Sequence, residues 1–320
     1  MKRIATLAAI TAVAIAASPL LAKDKIRIAA PHPTIITSTI PALAKSLDYF
    51  DRQNVDVEIL WTAGGADAQQ ATINGSVDIA VQTGLAGVLS AIQRNAPIAI
   101  IAAEATGASD VVWYVRADKP WKSLAEFQDN QTISFSRPGS SSDFTLRTLI
   151  THHKAKARAV PSGSQPETLV MVMSGQLDAG FANPPLPSAF AEGKVRIIAR
   201  GNDSPVMRGL TIRVHAANAN FLDKNRDAVK RFLAAWKQTI DALYSDPKVV
   251  AESAKLVKIS PEQAAAIIKE FIPRESLSMD RIGDLDTSIE QAVVNKQLRG
   301  PLTDAQKVAI HKTVADLNGK

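Results

Sequence analysis

The chain has 320 residues, of which 46% are hydrophobic, enough to bury a sizeable core, and it contains no cysteine. The lack of cysteine excludes disulfide bonds, thiolate metal sites, a cysteine nucleophile and a lipidated N-terminal cysteine. The 37 basic and 31 acidic side chains are interspersed, with no basic block and little aromatic interleaving, so the composition gives little support to nucleic-acid binding.

The first 22 residues have the pattern of a cleavable export signal. Lys2 and Arg3 form a positive start, the run 4–17 is almost wholly apolar, and the best cleavage point follows Ala22. This run is shorter than the ~20 residues that a membrane span needs, although an uncleaved anchor is the alternative. Since no later stretch reaches that length, we expect a mature protein that is free in the periplasm. Cleavage lowers the net charge of +6 by two, which leaves a weak bias towards anionic partners.

The remainder alternates short apolar or β-branched runs with amphipathic stretches, a pattern typical of parallel sheets flanked by helices. A first lobe, 23–110, is predicted to have strands at 26–30, 55–61, 78–82 and 98–103 and helices at 40–50, 66–74 and 85–94. A second lobe, 111–208, is predicted to have strands at 111–116, 132–136, 157–161, 178–182 and 195–200 and helices at 124–127, 144–153, 166–174 and 188–192. The segment 209–320 is predicted to return to the first lobe through a strand at 210–214 and helices at 226–244, 248–255, 261–271, 279–296 and 303–317.

Two segments a hundred residues apart, 74–80 and 174–180, share one pattern. Each ends a helix at a glycine and enters a strand through an aspartate, Asp78 or Asp178. A glycine C-cap explains each segment locally, and their repetition predicts two lobes built alike. Because ligands of open α/β sheets bind beyond the carboxyl ends of strands, the cleft between the lobes is the expected binding site.

The loops that follow the first-lobe strands carry hydroxyl, amide and glycine groups suited to binding. In the loop 31–39, hydroxyls at a helix start can contact an anion, or one of them can be an ordinary N-cap. In the loop 82–84, the glycine allows a ligand to approach the backbone, while the threonine can cap the next helix. The candidate ligand contacts in these loops are Pro33, Thr34, Thr37, Gln82, Thr83 and Gly84.

The strongest indication of a binding site is the loop 136–143 of the second lobe. Serines at a helix start offer hydroxyls and amides to an anion, and Arg137 can clamp a carboxylate or a sulfonate. Alternatively, one serine is the cap and Arg137 pairs with a surface acid. Asp143 would compete with an anion for the helix start, or pair with Arg147 four residues on. The candidate contacts here are Arg137, Gly139, Ser140 and Ser141.

Several segments in this order resemble the periplasmic solute-binding proteins of the sulfonate, taurine and nitrate importer family, which also includes relatives that bind thiamine pyrimidine precursors. The segments are PALAKSLDYF at 41–50, GGADAQQA at 64–71, GSVDIA at 75–80, KSL at 122–124 and GQLDA at 175–179. The chain departs from the family at Asp48, where glycine is usual, and at Asn183-Pro184-Pro185, where many relatives have an aromatic-acidic pair. We therefore do not transfer a ligand from a relative, and we add Asn183 to the candidate contacts.

The resemblance implies a type II periplasmic-binding-protein fold, with the ligand cleft between two α/β lobes and the C-terminal helices packed on the first. We expect a monomer without cofactor or metal, and not an enzyme, because the chain lacks the common catalytic motifs and its histidines are scattered. Its expected role is to capture a small organic anion, a sulfonate or a carboxylate that is aromatic or aliphatic, and to deliver it to an ABC permease in the inner membrane. The expected mechanism is hinge closure around the ligand, in the manner of a Venus flytrap.

Other residues carry weaker indications. Trp61 and Trp113 can stack on a ligand or pack in the core. Glu104 and Asp110 flank the first passage between the lobes, where we expect a solvated hinge rather than a receptor for an amine.

Two other function classes remain as alternatives. No hydrolase, P-loop, zinc-protease or dinucleotide motif is present, and the histidines are scattered. An enzyme of pyrimidine-precursor synthesis on the same fold would have a reactive histidine in the cleft, for which His32 is the candidate. The third possibility is a ligand-binding module that serves a sensor instead of an importer.

Overall fold

The computed structural model describes residues 22–319. The predicted export signal, 1–22, lies outside the described residues except for Ala22, which is exposed. No helix in this part of the chain combines the length and the hydropathy required to cross a lipid bilayer.

Two separate five-stranded sheets organise residues 22–319. Their strands are β1 (Asp24–Pro31), β2 (Val55–Thr62), β3 (Ile79–Gly84), β4 (Ile98–Thr106), β5 (Val112–Arg116), β6 (Thr132–Phe135), β7 (Arg158–Pro161), β8 (Ala179–Ala182), β9 (Val195–Arg200) and β10 (Thr211–Asn218). The first sheet has the order β2-β1-β3-β10-β4 and the second the order β7-β6-β8-β5-β9.

The two sheets repeat one arrangement. In the first, β1 pairs in parallel with β2 and β3, and β10 runs antiparallel between β3 and β4. In the second, β6 pairs in parallel with β7 and β8, and β5 runs antiparallel between β8 and β9. The central strands β3 and β10 are buried along their whole length, as expected for a sheet that is covered on both faces. The predicted two-lobed α/β architecture is confirmed.

The helices flank these sheets and are α1 (Ile40–Ser46), α2 (Tyr49–Arg52), α3 (Gly65–Ile73), α4 (Leu85–Gln93), α5 (Ser141–His153), α6 (Gln165–Ser174), α7 (Ser188–Ala191), α8 (Ala219–Lys224), α9 (Arg226–Ser245), α10 (Pro247–Val257), α11 (Pro261–Phe271), α12 (Leu285–Val294) and α13 (Asp304–Leu317). Among the C-terminal helices, α9 packs on α1 and α2, α12 on α4, and α13 on β4. The chain passes from the first sheet to the second after β4 and returns after β9, so two crossing segments join the lobes.

One predicted helix, 40–50, is divided in the structure. Helix α1 ends near Leu47, and Asp48 has a φ of 58°, in the left-handed region, before α2 begins. Aspartate tolerates this conformation better than most residues, which explains how it occupies a position that is usually glycine in the family.

A second predicted helix, 279–296, begins six residues late, at Leu285. The preceding segment is held against the first lobe, because the Met279 carbonyl accepts a hydrogen bond from the Ala103 amide at 3.2 Å. The Gly283 amide likewise donates to Thr211 Oγ1 at 2.8 Å. These long-range bonds leave that backbone unavailable for a helical turn.

Candidate functional site

A cavity of about 540 Å³, including its open mouth, lies between the two sheets. Its walls are formed by the end of β3 and the loops after β1 and β2 on one side, and by the loops after β6 and β8 and the start of α6 on the other. Strand β10 and the first crossing segment contribute the rest of the lining. The cavity therefore lies beyond the carboxyl ends of parallel strands in both lobes, where α/β proteins bind ligands.

Five of the predicted contacts line this cavity, namely Thr37, Gln82, Ser140, Ser141 and Asn183. Sequence reasoning did not select Ser38, Gln165 and Arg213, which also line it. Six predicted contacts lie outside the lining, namely Pro33, Thr34, Thr83, Gly84, Arg137 and Gly139.

Three hydroxyls of the lining are available to a ligand. Within residues 22–319, the side chains of Thr37, Ser38 and Ser141 have no hydrogen-bond partner, and those of Thr37 and Ser38 are buried against the cavity. Ser141 is also the first residue of α5, so its amide has no intrahelical acceptor. The cavity thus presents neutral donors from both lobes.

Ser140 is a helix cap, one of the two roles that the sequence left open, and it also lines the cavity. Its Oγ atom accepts a hydrogen bond from the Asp143 amide at 3.2 Å, so it is the N-cap of α5. The same hydroxyl lies 3.0 Å from Ser142 Oγ, which also binds the Ser136 amide. A helix cap therefore forms part of the cavity wall.

Asp143 is occupied by protein partners. Its Oδ1 atom accepts from Arg147 Nε at 2.7 Å, as predicted, and its Oδ2 atom accepts from the Gly139 amide at 2.9 Å. Gln297, which follows α12, donates to the same Oδ2 atom at 2.8 Å and thereby links the C-terminal helices to the second lobe.

Arg137 follows the lining residue Ser136 but does not itself line the cavity. Its Nε atom donates to Asp67 Oδ2 at 2.9 Å, and both side chains are partly exposed. Since Asp67 belongs to α3 of the first lobe, this pair bridges the two lobes. Of the two readings of Arg137, the structure shows the ion pair with a surface acid and places no clamp inside the cavity.

Gly84 and Gly139 bring two backbones together instead of approaching a ligand. A Cβ atom on Gly84 would lie 2.5 Å from the Gly139 carbonyl oxygen and 2.7 Å from the Ser141 amide nitrogen. A Cβ atom on Gly87, one turn along α4, would also lie 2.5 Å from that carbonyl oxygen. The absence of side chains at these positions allows the start of α4 to contact the start of α5 across the lobes.

The other residues outside the lining have ordinary environments. Thr83 Oγ1 donates to the Gly65 carbonyl at 2.9 Å, so it links two loops of the first lobe. Pro33 and Thr34 are exposed, and Thr34 borders a shallower cleft next to the cavity.

A buried charge cluster forms one side of the cavity. Arg213 of β10 donates through Nε to Glu104 Oε2 at 2.8 Å, and through its two Nη atoms to Asp110 at 3.2 and 2.7 Å. Burial raises the pKa of Glu104, and Arg213 opposes that shift. The prediction of a solvated hinge at Glu104 and Asp110 is wrong, because both carboxylates are buried.

Gln82 joins this cluster to the centre of the first sheet. Its side-chain amide donates to Glu104 Oε1 at 3.1 Å, and its backbone amide donates to His215 Nδ1 at 3.3 Å. With a φ of 56°, Gln82 leaves the regular strand geometry, and β10 has a register shift between Val214 and Ala216. Burial lowers the pKa of His215 to about 3, so this imidazole is neutral and accepts the Gln82 amide.

Asn183 connects the cluster to the second lobe. Its Nδ2 atom donates to the Asp110 carbonyl at 2.6 Å, and its Oδ1 atom accepts from Gln165 Nε2 at 3.1 Å. Gln165 Oε1 in turn accepts from the Asn183 amide at 2.8 Å. These bonds fix the side chains of Asn183 and Gln165, which face the cavity from the loop after β8 and the start of α6.

The remaining polar and aromatic candidates differ in position. His32 lines the cavity, and burial lowers its pKa against the opposing effects of Asp67 and Glu167. Trp113 is fully buried, and its Nε1 atom donates to the Ser134 carbonyl at 2.9 Å, so it packs in the core. Trp61 is partly exposed on β2 and outside the lining.

Across residues 22–319, no three metal-ligating side chains form a group that could hold an ion.

This architecture, two α/β lobes joined by crossing segments around a polar cavity, defines the periplasmic-binding-protein fold. The model of the family described as NMT1/THI5 like matches residues 37–249, and the chain belongs to this family. The family suggested by the sequence segments is thereby confirmed. No curated protein shows significant similarity to the chain.

Solved structures with this fold have low sequence identity to the chain. The periplasmic aliphatic sulphonate binding protein SsuA from Escherichia coli is 19% identical with a TM-score of 0.69, over 88% of this chain and 91% of that one. The periplasmic nitrate-binding protein NrtA from Synechocystis is 14% identical with a TM-score of 0.67, over 92% and 87%. The desulfurization enzyme DSZB is 13% identical with a TM-score of 0.56, over 91% and 99%. At these identities the likeness establishes the fold alone.

Proposed function

We propose that the protein is the substrate-binding component of an ABC importer and captures a small organic anion in the interlobe cavity. The observation that carries this proposal is the set of unpartnered donors from both lobes around one cavity. A sulfonate or carboxylate oxygen can accept hydrogen bonds from the Thr37, Ser38 and Ser141 hydroxyls and from the first amides of α5. The names of the sulphonate- and nitrate-binding neighbours support the same ligand class.

The contacts between the lobes support a mechanism of hinge closure. The Arg137–Asp67 ion pair and the close approach of Gly84 to Gly139 join the two lobes, in addition to the crossing segments and the Gln297–Asp143 hydrogen bond. A ligand bound between the lobes adds contacts to both and therefore favours this closed arrangement. An inner-membrane permease that recognises the closed form would receive the cargo.

The predicted export signal supports the periplasm as the location of this step, where the protein acts as a monomer without cofactor.

Ligand binding can be tested by thermal unfolding of the chain without its first 22 residues, in the presence of sulfonates, carboxylates, nitrate and pyrimidines. By mass action, a ligand at 100 times its dissociation constant adds about 2.7 kcal/mol to the free energy of unfolding. We expect stabilisation by organic sulfonates or carboxylates. A set of active compounds that contains only cations or neutral molecules would refute the anion proposal.

The position of His32 in the cavity keeps catalysis as the second candidate function, on a fold that also includes a desulfurization enzyme. Isothermal titration with product analysis separates the two functions. Stoichiometric binding without a product supports transport, whereas turnover that disappears in His32→Ala supports an enzyme. A role in sensing would require a receptor partner in place of the permease, and reconstituted transport with the permease tests that alternative.

A further inference from the structure

Among residues 22–319, Arg213 is the one permanently positive side chain that lines the cavity. Only 9% of this side chain is exposed, so its guanidinium group is shielded from bulk water. In low dielectric, the net charge of the groups around it strongly affects which ligands can enter. The charge of Arg213 must therefore be considered together with that of its direct partners.

Two carboxylates compensate Arg213. Asp110 takes both Nη atoms in a bidentate pair, and Glu104 takes Nε at 2.8 Å. If Glu104 is ionised, the three groups carry a net charge of minus one, and if it is protonated they are neutral. In neither state does the cluster offer a positive charge to an anion. His32, which also lines the cavity, has a lowered pKa and adds no charge at neutral pH.

The same bonds leave part of Arg213 free to act as a donor. A guanidinium has five N–H groups, and the two carboxylates accept three of them. Within residues 22–319, the other two have no acceptor. Arg213 is therefore a hydrogen-bond donor without net attraction for negative charge, in the same way as the neutral hydroxyls of Thr37 and Ser141.

We propose that Asp110 and Glu104 are specificity-determining residues that limit the ligand to at most one negative charge. This inference rests on the proposed function and narrows its ligand class. One acidic group can be held by hydroxyls, amides and the spare Arg213 N–H groups. A second negative charge in the same cavity is repelled by Asp110, which is buried and belongs to the lining. Divalent organic anions are thereby excluded.

The test uses two pairs of probes in which a methyl group is replaced by a carboxylate, ethanesulfonate with sulfoacetate and propanoate with malonate. Dissociation constants are measured by calorimetric titration at pH 7.5 for the wild type and for Asp110→Asn. Glu104→Gln provides a second variant outside the lining, because it removes the ionisable group and retains hydrogen-bonding groups of the same size. Asp129→Asn removes an exposed carboxylate and is the matched control. Thermal unfolding establishes that each variant is folded.

We expect the wild type to bind each monoanion at least tenfold more tightly than its dianionic counterpart. In Asp110→Asn this ratio should fall by about tenfold, in Glu104→Gln it should fall to the extent that Glu104 is ionised, and Asp129→Asn should leave it unchanged. Equal binding of both members of each pair, or a ratio that neither folded cavity variant changes, would overturn the charge limit while leaving anion capture intact. If the wild type binds none of the four probes, anion capture itself fails and the charge limit fails with it.

Discussion

Gly84 gives the clearest test of whether the contact between the two lobes belongs to the ligand-bound state. Its backbone, with φ −64° and ψ 126°, suits alanine, so Gly84→Ala introduces no strain within the first lobe. The three atoms nearest to the new Cβ all belong to second-lobe backbone, the closest being the Gly139 oxygen at 2.5 Å, whereas an ordinary contact begins at 3.4 Å. Because backbone cannot rotate away, the lobes must separate by almost 1 Å to accept the methyl group.

Overpacking of this kind costs about 1–3 kcal/mol, which falls entirely on the closed form. The affinity of the best ligand should therefore drop by roughly 5- to 150-fold. The unliganded protein should retain its unfolding midpoint or gain a little, because alanine restricts the unfolded chain by about 0.4–1 kcal/mol.

Calorimetric titration and thermal unfolding measure these two effects separately. Gly87→Ala provides a second obstruction at the same Gly139 oxygen, one turn from Gly84 and outside the cavity lining. Gly300→Ala is the control, because no atom lies within 4 Å of its added Cβ. Wild-type affinity in folded Gly84→Ala would show that the ligand-bound lobes do not approach in this way.

Three further predictions concern Arg137 at the contact between the lobes, Ser141 in the cavity lining and His215 in the core of the first sheet. Arg137→Ala removes a partly exposed ion pair worth at most about 1 kcal/mol, so the affinity for the ligand should fall no more than about fivefold. A hundredfold loss of affinity in calorimetric titration would show instead that Arg137 holds the ligand. Ser141→Ala should weaken binding by about fivefold, for a lost hydroxyl bond of ~1 kcal/mol, with no change in unfolding midpoint; the exposed Ser174→Ala is its control. Because the pKa of His215 in the folded protein is lowered to about 3, His215 is protonated at a higher pH in the unfolded chain than in the folded one. The contribution of His215 to the free energy of unfolding is fully present above about pH 6.5. Below that pH the free energy of unfolding falls by about 1.4 kcal/mol per pH unit, down to about pH 3. Urea unfolding at pH 7, 6 and 5 measures this slope, which should be smaller in His215→Asn; an unchanged slope would refute the assignment.

The fold was largely predictable because its signals are local. Short apolar strands, amphipathic helices and the repeated glycine-aspartate turns at 74–80 and 174–180 are each contained within a few residues. The lining residues Thr37, Gln82, Ser140 and Ser141 were predictable for the same reason, since polar loops after strands lie on the ligand side of such lobes. The late start of α12 was not predictable, because it depends on bonds from its preceding segment to distant strands.

The charge cluster could not be found by local reasoning. Arg213 is separated by 109 residues from Glu104 and by 103 from Asp110. The one local signal is an arginine within the apolar run of β10, where a buried charge requires partners. Arg137 shows the opposite case: a basic residue next to serines at a helix start suggested a clamp, but Asp67 on the other lobe is its partner. Which acid meets which base depends on how the lobes face each other.

The bonds that shape the cavity also cross the hinge. Glu104 lies near the end of β4, Asp110 lies in the first crossing segment, and Arg213 lies in β10 after the second crossing segment. Asn183 of the second lobe then donates to the Asp110 carbonyl at 2.6 Å. Arg213, which has N–H groups to offer a ligand, is therefore also one of the groups that hold the hinge. A ligand that displaces any of these side chains must also alter the hinge, whereas one that uses only the free hydroxyls and the spare Arg213 N–H groups leaves the hinge bonds intact. Ligands that use only these free donors can therefore bind without breaking the hinge bonds, which is a physical reason for the cavity to select them.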